Sequence, residues 1–319
     1  MVLTAGCGGH GPIERTQLVY AVPTSFSGKH SWIWRARPDG THRVRLVRGH
    51  NPQLAPNGRL VAYTRARDEL YVVSISGEQP RLVQRAAGDH GFIAGFTWSP
   101  TSREIVTVEP RSLVLVDVET GRTRTFAATR NPHRAGAGDP SFSPDGSRIV
   151  FDRIDQTGGD LELFDVRTGQ TRRLTRDHRS MLPVWGPGGI AFSRFRSGGR
   201  GDVWLLDPSG RKLRRLTHTD AGIEPAAWSA DGKRLLAANP AVHNGRLWAV
   251  DVRSGRARDL TGWVGDLFPQ GLSRNGKTIL AAIGCGGLVS PFGVVETLPF
   301  TGGRAHVIVK GPCRASWND

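Results

Sequence analysis

The chain has 319 residues, of which 38% are hydrophobic, with 43 Lys+Arg against 28 Asp+Glu for a formal net charge of +15. No apolar run approaches the roughly 18 residues that a membrane-spanning helix needs, while the apolar share is ample for a packed core. So large a positive excess invites a nucleic-acid reading. Its placement argues against one, because the arginines spread through every repeat and do not gather on one helix or groove.

In chain order, Gln17–Val22 alternates as a strand and Ser31–Val47 supplies two more. From there a unit of four strands repeats. Asn51–Ala55 leads into the turn Asn57-Gly58, Arg59–Thr64 returns, Glu69–Ile75 follows, and Ser76-Gly77 turns into Pro80–Val83. The same order recurs in Gly95–Phe126, Pro140–Thr175, Pro183–Thr217, Pro225–Thr261 and Gln270–Val309. The first turn of each unit falls at Asn57-Gly58, Thr101-Ser102, Asp145-Gly146, Pro187-Gly188, Asp231-Gly232 and Asn275-Gly276, at intervals of 44, 44, 42, 44 and 44. Two hairpins per repeat of about 40–45 residues is the signature of a four-stranded propeller blade. Six repeats are complete. The seventh lacks its first strand at the N-terminus, and Arg314–Asp319 resembles the first-strand segment Ala226–Asp231. The expected fold is therefore all-β: a seven-bladed propeller of four-stranded antiparallel blades, closed by the C-terminal strand joining the N-terminal blade, with six blades as the alternative. Residues 17–319 form one domain and residues 1–16 a leader and flexible tether.

Phe142-Ser143-Pro144-Asp145-Gly146-Ser147-Arg148-Ile149-Val150-Phe151 resembles the WD40-like (PD40) repeat of the TolB-like β-propeller family. Leu54–Tyr63 and Trp228–Leu236 are the same unit, and Val203–Asp207 and Leu216-Thr217 fit its downstream part. The resemblance spans nearly the whole chain and implies the propeller fold. It says little about activity, since one such fold hosts binders, scaffolds and enzymes.

Leu3-Thr4-Ala5-Gly6-Cys7 looks like the end of a bacterial lipoprotein signal, with Cys7 the lipidated residue and Gly8, Gly9 and Gly11 a tether. Cys285 and Cys313 should meet across the closure seam as a disulfide, in keeping with export. His50, His90, His133, His178 and His218 recur in loops between blades, where they would ring the channel mouth. Imidazoles there could act as bases or metal ligands, and some TolB-like propellers that degrade acidic polysaccharides use channel histidines in that way. Equivalent polar loop positions are the plainer account, so no metal ligand set is assigned and no cofactor is expected. Arg65, Arg67, Arg153, Arg194, Arg196, Arg200 and Arg246 follow second strands on the same face and could bind carboxylate or phosphate. Asp117, Asp165, Asp207 and Asp251 should accept backbone hydrogen bonds at turns, and Trp98, Trp185, Trp228 and Trp317 should pack between blades. No nucleophile elbow, P-loop, dinucleotide fingerprint or zinc-helix motif occurs.

These features point to a non-enzymatic, extracytoplasmic binding propeller. It would be a monomer anchored by lipid at the cell envelope, recognising a protein or anionic polymer through its mouth loops. A polysaccharide lyase or hydrolase using the mouth histidines is the alternative.

Overall fold

The computed structural model describes residues 17–23, 31–88, 91–129, 135–196, 199–219, 222–239, 245–261, 267–273, 277–283, 293–310 and 314–318. Among them there is no helix, and the strands form seven four-stranded antiparallel sheets. Blade 1 runs, from its innermost strand outward, Arg314–Asn318, Gln17–Pro23, Ser31–Ala36 and Val44–Arg48. Blade 2 is His50–Leu54, Leu60–Thr64, Glu69–Ser74 and Arg81–Arg85, and blade 3 is Gly95–Trp98, Glu104–Glu109, Ser112–Asp117 and Thr123–Phe126. Blade 4 comprises Ala135–Phe142, Arg148–Asp155, Gly158–Asp165 and Thr171–Arg173; blade 5, Ser180–Gly186, Gly189–Phe195, Gly201–Leu206 and Leu213–Arg215. Blade 6 is Glu224–Trp228, Arg234–Asn239, Arg246–Asp251 and Ala257–Asp259, and blade 7 is Leu267–Leu272, Thr278–Ile283, Val294–Pro299 and His306–Lys310. Seven blades replace the six-bladed alternative. The chain's last strand closes the ring, with Leu18 opposite Trp317 and Tyr20 opposite Ala315.

The core lies between blades, not within one. Among the described residues, buried apolar side chains fall into seven clusters, each drawn from two neighbouring sheets and together covering every junction. Alternation along a strand explains this division. In Leu60–Thr64, Val61 and Tyr63 face blade 1 while Ala62 faces blade 3. Second strands are buried on both faces, so they read as near-continuous apolar runs such as Ile149-Val150-Phe151.

Polar bonds register one blade on the next near the axis. The indole N–H of Trp98 donates to the Gln53 carbonyl at 3.1 Å and that of Trp228 to the Val184 carbonyl at 2.9 Å. Ser141 Oγ accepts the Trp185 amide at 2.9 Å, and Ser316 Oγ on the closing strand accepts the Leu54 amide at 3.1 Å. Near the rim, outer-strand arginines staple the sheets. Arg81 donates to the carbonyls of Val118 and Glu119, Arg124 to Val166, Arg172 to Ser209, Arg214 to Val252, and Arg258 to Phe300 and Thr301. Sequence alone gives these arginines the task of blunting blade edges. The structure adds a second task, because a guanidinium on the edge strand reaches orphan carbonyls where the next blade's third strand ends. The turn aspartates behave as expected: Asp117, Asp165 and Asp251 accept the amides of Thr120, Thr168 and Ser254 at 2.7–2.8 Å, and Asp207 those of Arg211 and Lys212.

The turn between third and fourth strands needs glycine for two separable reasons. Gly121 and Gly255 both hold a left-handed φ (70° and 75°), but a Cβ on Gly255 would stand 2.2 Å from the Leu216 carbonyl oxygen of blade 5. On Gly121 the nearest atom would be 3.8 Å away. Urea unfolding should therefore show Gly121→Ala costing about 1 kcal/mol from backbone strain alone. Gly255→Ala, with the added clash, should cost roughly 3 kcal/mol. Equal losses would refute the close-approach account.

Candidate functional site

Two kinds of loop meet on one face: those joining second to third strands, and those passing from one blade to the next. Buried aspartates near the start of third strands pin them. Asp160 accepts from Thr175 Oγ1 and the Asp177 amide, both at 2.9 Å, and from the His178 amide at 3.2 Å. Asp202 takes the same position in blade 5 and accepts from Arg215 at 2.8 Å and the Thr219 amide at 3.3 Å. Thr175, Thr217 and Thr261 turn their hydroxyls onto the amides of Leu161, Val203 and Leu247, which is what the recurrent Leu-Thr pair accomplishes.

The arginines singled out in the sequence are braced locally. In blade 2, Arg65 lies 5.7 Å over Tyr71 and Arg67 lies 5.8 Å over Phe92. Arg153 pairs with Glu162 at 3.1 Å in blade 4. In blade 5, Arg194 pairs with Asp177 at 2.7 Å and stacks 4.7 Å over Trp204. Arg196 reaches Asp202 at 3.4 Å and the Thr219 carbonyl at 3.1 Å. Arg200 packs beside Gly222, and Arg246 pairs with Asp259 at 3.1 Å. Arg153, Arg194, Arg196, Arg200 and Arg246 thus occupy three consecutive blades, while Arg65 and Arg67 stand apart in blade 2.

The histidines do not share one arrangement. His50 opens the first strand of blade 2, where its carbonyl accepts from Thr64 Oγ1. His178 adopts a left-handed φ of 54°, and its Nδ1 lies 2.8 Å from Thr157 Oγ1 and 3.4 Å from Asp160 Oδ2. His218 is exposed. His90, His133, Cys7, Cys285 and Cys313 lie outside the described residues. Among the described residues no three His, Cys, Asp or Glu side chains group as a metal site would require.

Sequence reasoning missed a carboxylate group beside the central channel. Asp139 sits on the innermost strand of blade 4 at a left-handed φ of 44°, in a bulge that shifts the register between Gly138 and Ser141. It is accessible to solvent yet enclosed by neighbouring strands, and loss of hydration pushes its carboxyl up despite a hydrogen bond to Asp152. Asp152, fully buried on the second strand, is raised first by burial and then by the Asp139 charge. Its Oδ2 accepts the amide of Leu182, the left-handed residue in the matching bulge of blade 5, at 3.0 Å. Glu224, at the start of blade 6, is pushed up to about 7 by burial and by Asp139. A sequence signal existed for all three: Asp139 and Glu224 each precede a proline on a first strand, and Asp152 ends an apolar run.

Fold and site together define a closed seven-bladed propeller with a braced, arginine-bearing mouth above a carboxylate-lined channel. The family described as the TolB beta propeller domain (PD40) matches residues 92–288, well over half of the chain, and the protein belongs to it. A TolB homolog from Chlorobium chlorochromatii is 32% identical over 99 residues, covering 30% of this chain and 22% of that protein. YuxL of Bacillus subtilis, described as an uncharacterized peptidase, is 28% identical over 107 residues, covering 31% of this chain and 16% of its own. The match therefore spans less than a quarter of either relative. A solved oligogalacturonate lyase in complex with manganese superposes with a TM-score of 0.63 at 15% identity, over 92% of this chain and 83% of that one, and shares the fold.

The raised carboxyls set a direction for pH dependence. Folded Asp139, Asp152 and Glu224 hold protons more tightly than they do in the unfolded chain, so stability falls as pH climbs from about 4 to about 8. Asp145 and Asp207, held down to about 2 by hydrogen bonds at their turns, act oppositely, and their contribution is lost as pH falls from about 4 towards 2. Urea unfolding should place maximum stability near pH 5. Asp152→Asn should flatten the alkaline slope, adding on the order of 1–3 kcal/mol at pH 8. An unchanged slope in that variant would remove Asp152 from the account.

Proposed function

We propose that this protein is an extracytoplasmic binding propeller of the cell envelope that recognises a protein or an anionic polymer through its mouth loops, without catalysing a reaction. In this reading Cys7 carries a lipid anchor, Cys285 and Cys313 form a disulfide at the ring seam, and the propeller acts as a monomer without a cofactor. The observation that carries it is the bracing of Arg153, Arg194 and Arg196 by Glu162, Asp177 and Asp202. Guanidinium groups held in fixed orientation lose little freedom when they meet a carboxylate or phosphate, which favours affinity. Membership of the TolB propeller family and the TolB homolog among its relatives support an envelope partner.

A second reading, a lyase or hydrolase, draws on His178. Asp160 lies on the Nδ1 side of that imidazole, as an orienting carboxylate would beside a general base. Likeness to the lyase fold and to the peptidase YuxL is consistent with it.

One titration with polygalacturonate separates the two. The binding reading expects retention on immobilised protein, weakened by salt and about tenfold by Arg194→Gln combined with Arg196→Gln, with no ultraviolet-absorbing unsaturated uronate released. The lyase reading expects that product, and its loss in His178→Ala. Failure to retain polygalacturonate, or any anionic envelope polymer or envelope protein tested alongside it, would sink the binding reading.

A further inference from the structure

Three repeats can be compared at one structural position near the turns on the face opposite the mouth. The first residue of the second strand pairs with the aspartate that ends the third: Glu104 with Asp117, Arg148 with Asp165, and Arg234 with Asp251. The fourth strand contributes two neighbours. One lies just past the turn glycine (Arg122, Gln170 or Arg256), and its carbonyl accepts the amide of that aspartate. The other is the stapling arginine (Arg124, Arg172 or Arg258), opposite Leu115, Leu163 and Ala249 in register.

Charge at this position differs between blades. Blade 3 carries an acid, Glu104, at this position; burial and the Asp117 charge push its carboxyl up, and the Arg124 guanidinium draws it only part of the way back. Blade 4 carries a neutral glutamine among the three residues. In blade 6 all three are arginine, and the internal carboxylate of blade 3 has become Arg234. Asp251 is the acid that lines the pocket, and its Oδ1 is already engaged by the Ser254 amide and hydroxyl at 2.8 and 2.6 Å, while the charge of Asp231 also reaches Arg234. Phe300 of blade 7 packs 4.9 Å from the Arg234 guanidinium, and Arg258 is tied to the carbonyls of Phe300 and Thr301. Between these groups lies an open pocket of about 330 Å³, lined by Arg234, Asp251, Arg256, Arg258, Phe300 and Thr301. That volume is at the lower end for small-molecule sites.

We infer that the junction of blades 6 and 7 is an oxyanion-binding pocket, taking a small ligand that carries carboxylate or phosphate between Arg234 and Arg256. The site lies away from the mouth loops and stands whether or not they bind a polymer. Arg258 fixes the wall by holding blade 7, Phe300 orients Arg234, and the bound anion takes the place that Glu104 fills in blade 3. Guanidinium geometry suits such groups, and the apolar ring beside it lowers the local dielectric.

Isothermal titration calorimetry of the whole chain at low ionic strength, with inorganic phosphate and with citrate as probes, tests this. Wild type should bind at least one of them with a dissociation constant below about 10 mM. Arg234→Glu, which rebuilds the arrangement of blade 3, should weaken binding at least tenfold without lowering the melting temperature. Arg256→Gln, with the residue that blade 4 tolerates, should weaken it similarly while leaving the Arg258 staple in place. Arg211→Glu, at the exposed residue that follows the turn glycine of blade 5, should change nothing. Wild-type affinity in Arg234→Glu and Arg256→Gln, an equal loss in Arg211→Glu, or no heat from either anion with wild type would each overturn the inference.

Discussion

Pairing between Arg314–Asn318 and Gln17–Pro23 is the contact on which the rest depends. In a ring of sheets every blade buries both faces against neighbours, so no blade has a core of its own. An open ring would leave blade 1 without its inner strand and would bare backbone groups at the channel wall. The closing strand does more than fill that edge. Ser316 Oγ takes the Leu54 amide of blade 2, as Ser141 Oγ takes the Trp185 amide three junctions further on. The chain's last strand thus carries the same register device as an interior repeat, and strands at opposite ends of the sequence become neighbours in one cooperative unit.

Arginine content makes sense in the same frame. At five successive junctions, from blades 2–3 to blades 6–7, an outer-strand guanidinium donates to carbonyls of the next blade. A neutral acceptor and a partly exposed donor leave each such bond contributing about 1 kcal/mol net, so no single staple holds the ring. Their effect is on spacing, because the long, planar side chain spans the widening gap between sheets at the rim, where short apolar residues no longer meet. A good part of the net charge of +15 is therefore committed to the scaffold. That weakens any inference from charge to nucleic acid.

What was readable in the sequence follows from what recurs locally. Turn pairs, alternation and the Trp and Asp positions depend on a few neighbouring residues, and they gave blade number, strand order and closure. Asp160 and Asp202 escaped notice because their partners lie on the loop that follows, 15 to 18 residues away, at a distance that varies with loop length. The carboxylates beside the channel were hidden for a stronger reason: Asp139 and Asp152 belong to blade 4, the amide that Asp152 positions to blade 5, and Glu224 to blade 6. No spacing rule encodes a meeting across three repeats. The histidines show the converse. Regular spacing along the chain did not bring equal geometry, since His178 is bent into a left-handed conformation against Asp160 whereas His50 lies within a strand.

The two electrostatic layers at the mouth constrain what can dock there. Arginines crown the loops of blades 4 to 6, and Asp139 and Glu224 stand on innermost strands beneath them, with Asp152 buried behind. A polyanion attracted to the crown meets carboxyls whose ionisation is suppressed by burial, so at mildly acidic pH the channel wall is close to neutral there. As pH passes the value of about 7 at which Glu224 ionises, negative charge accumulates in a confined space where water screens poorly. Repulsion would then oppose entry of an anionic chain, while the arginines above stay charged at every such pH. For the proposed binding role, the arrangement therefore favours a polymer or protein surface lying across the mouth over one threaded through the axis, the more so as pH rises.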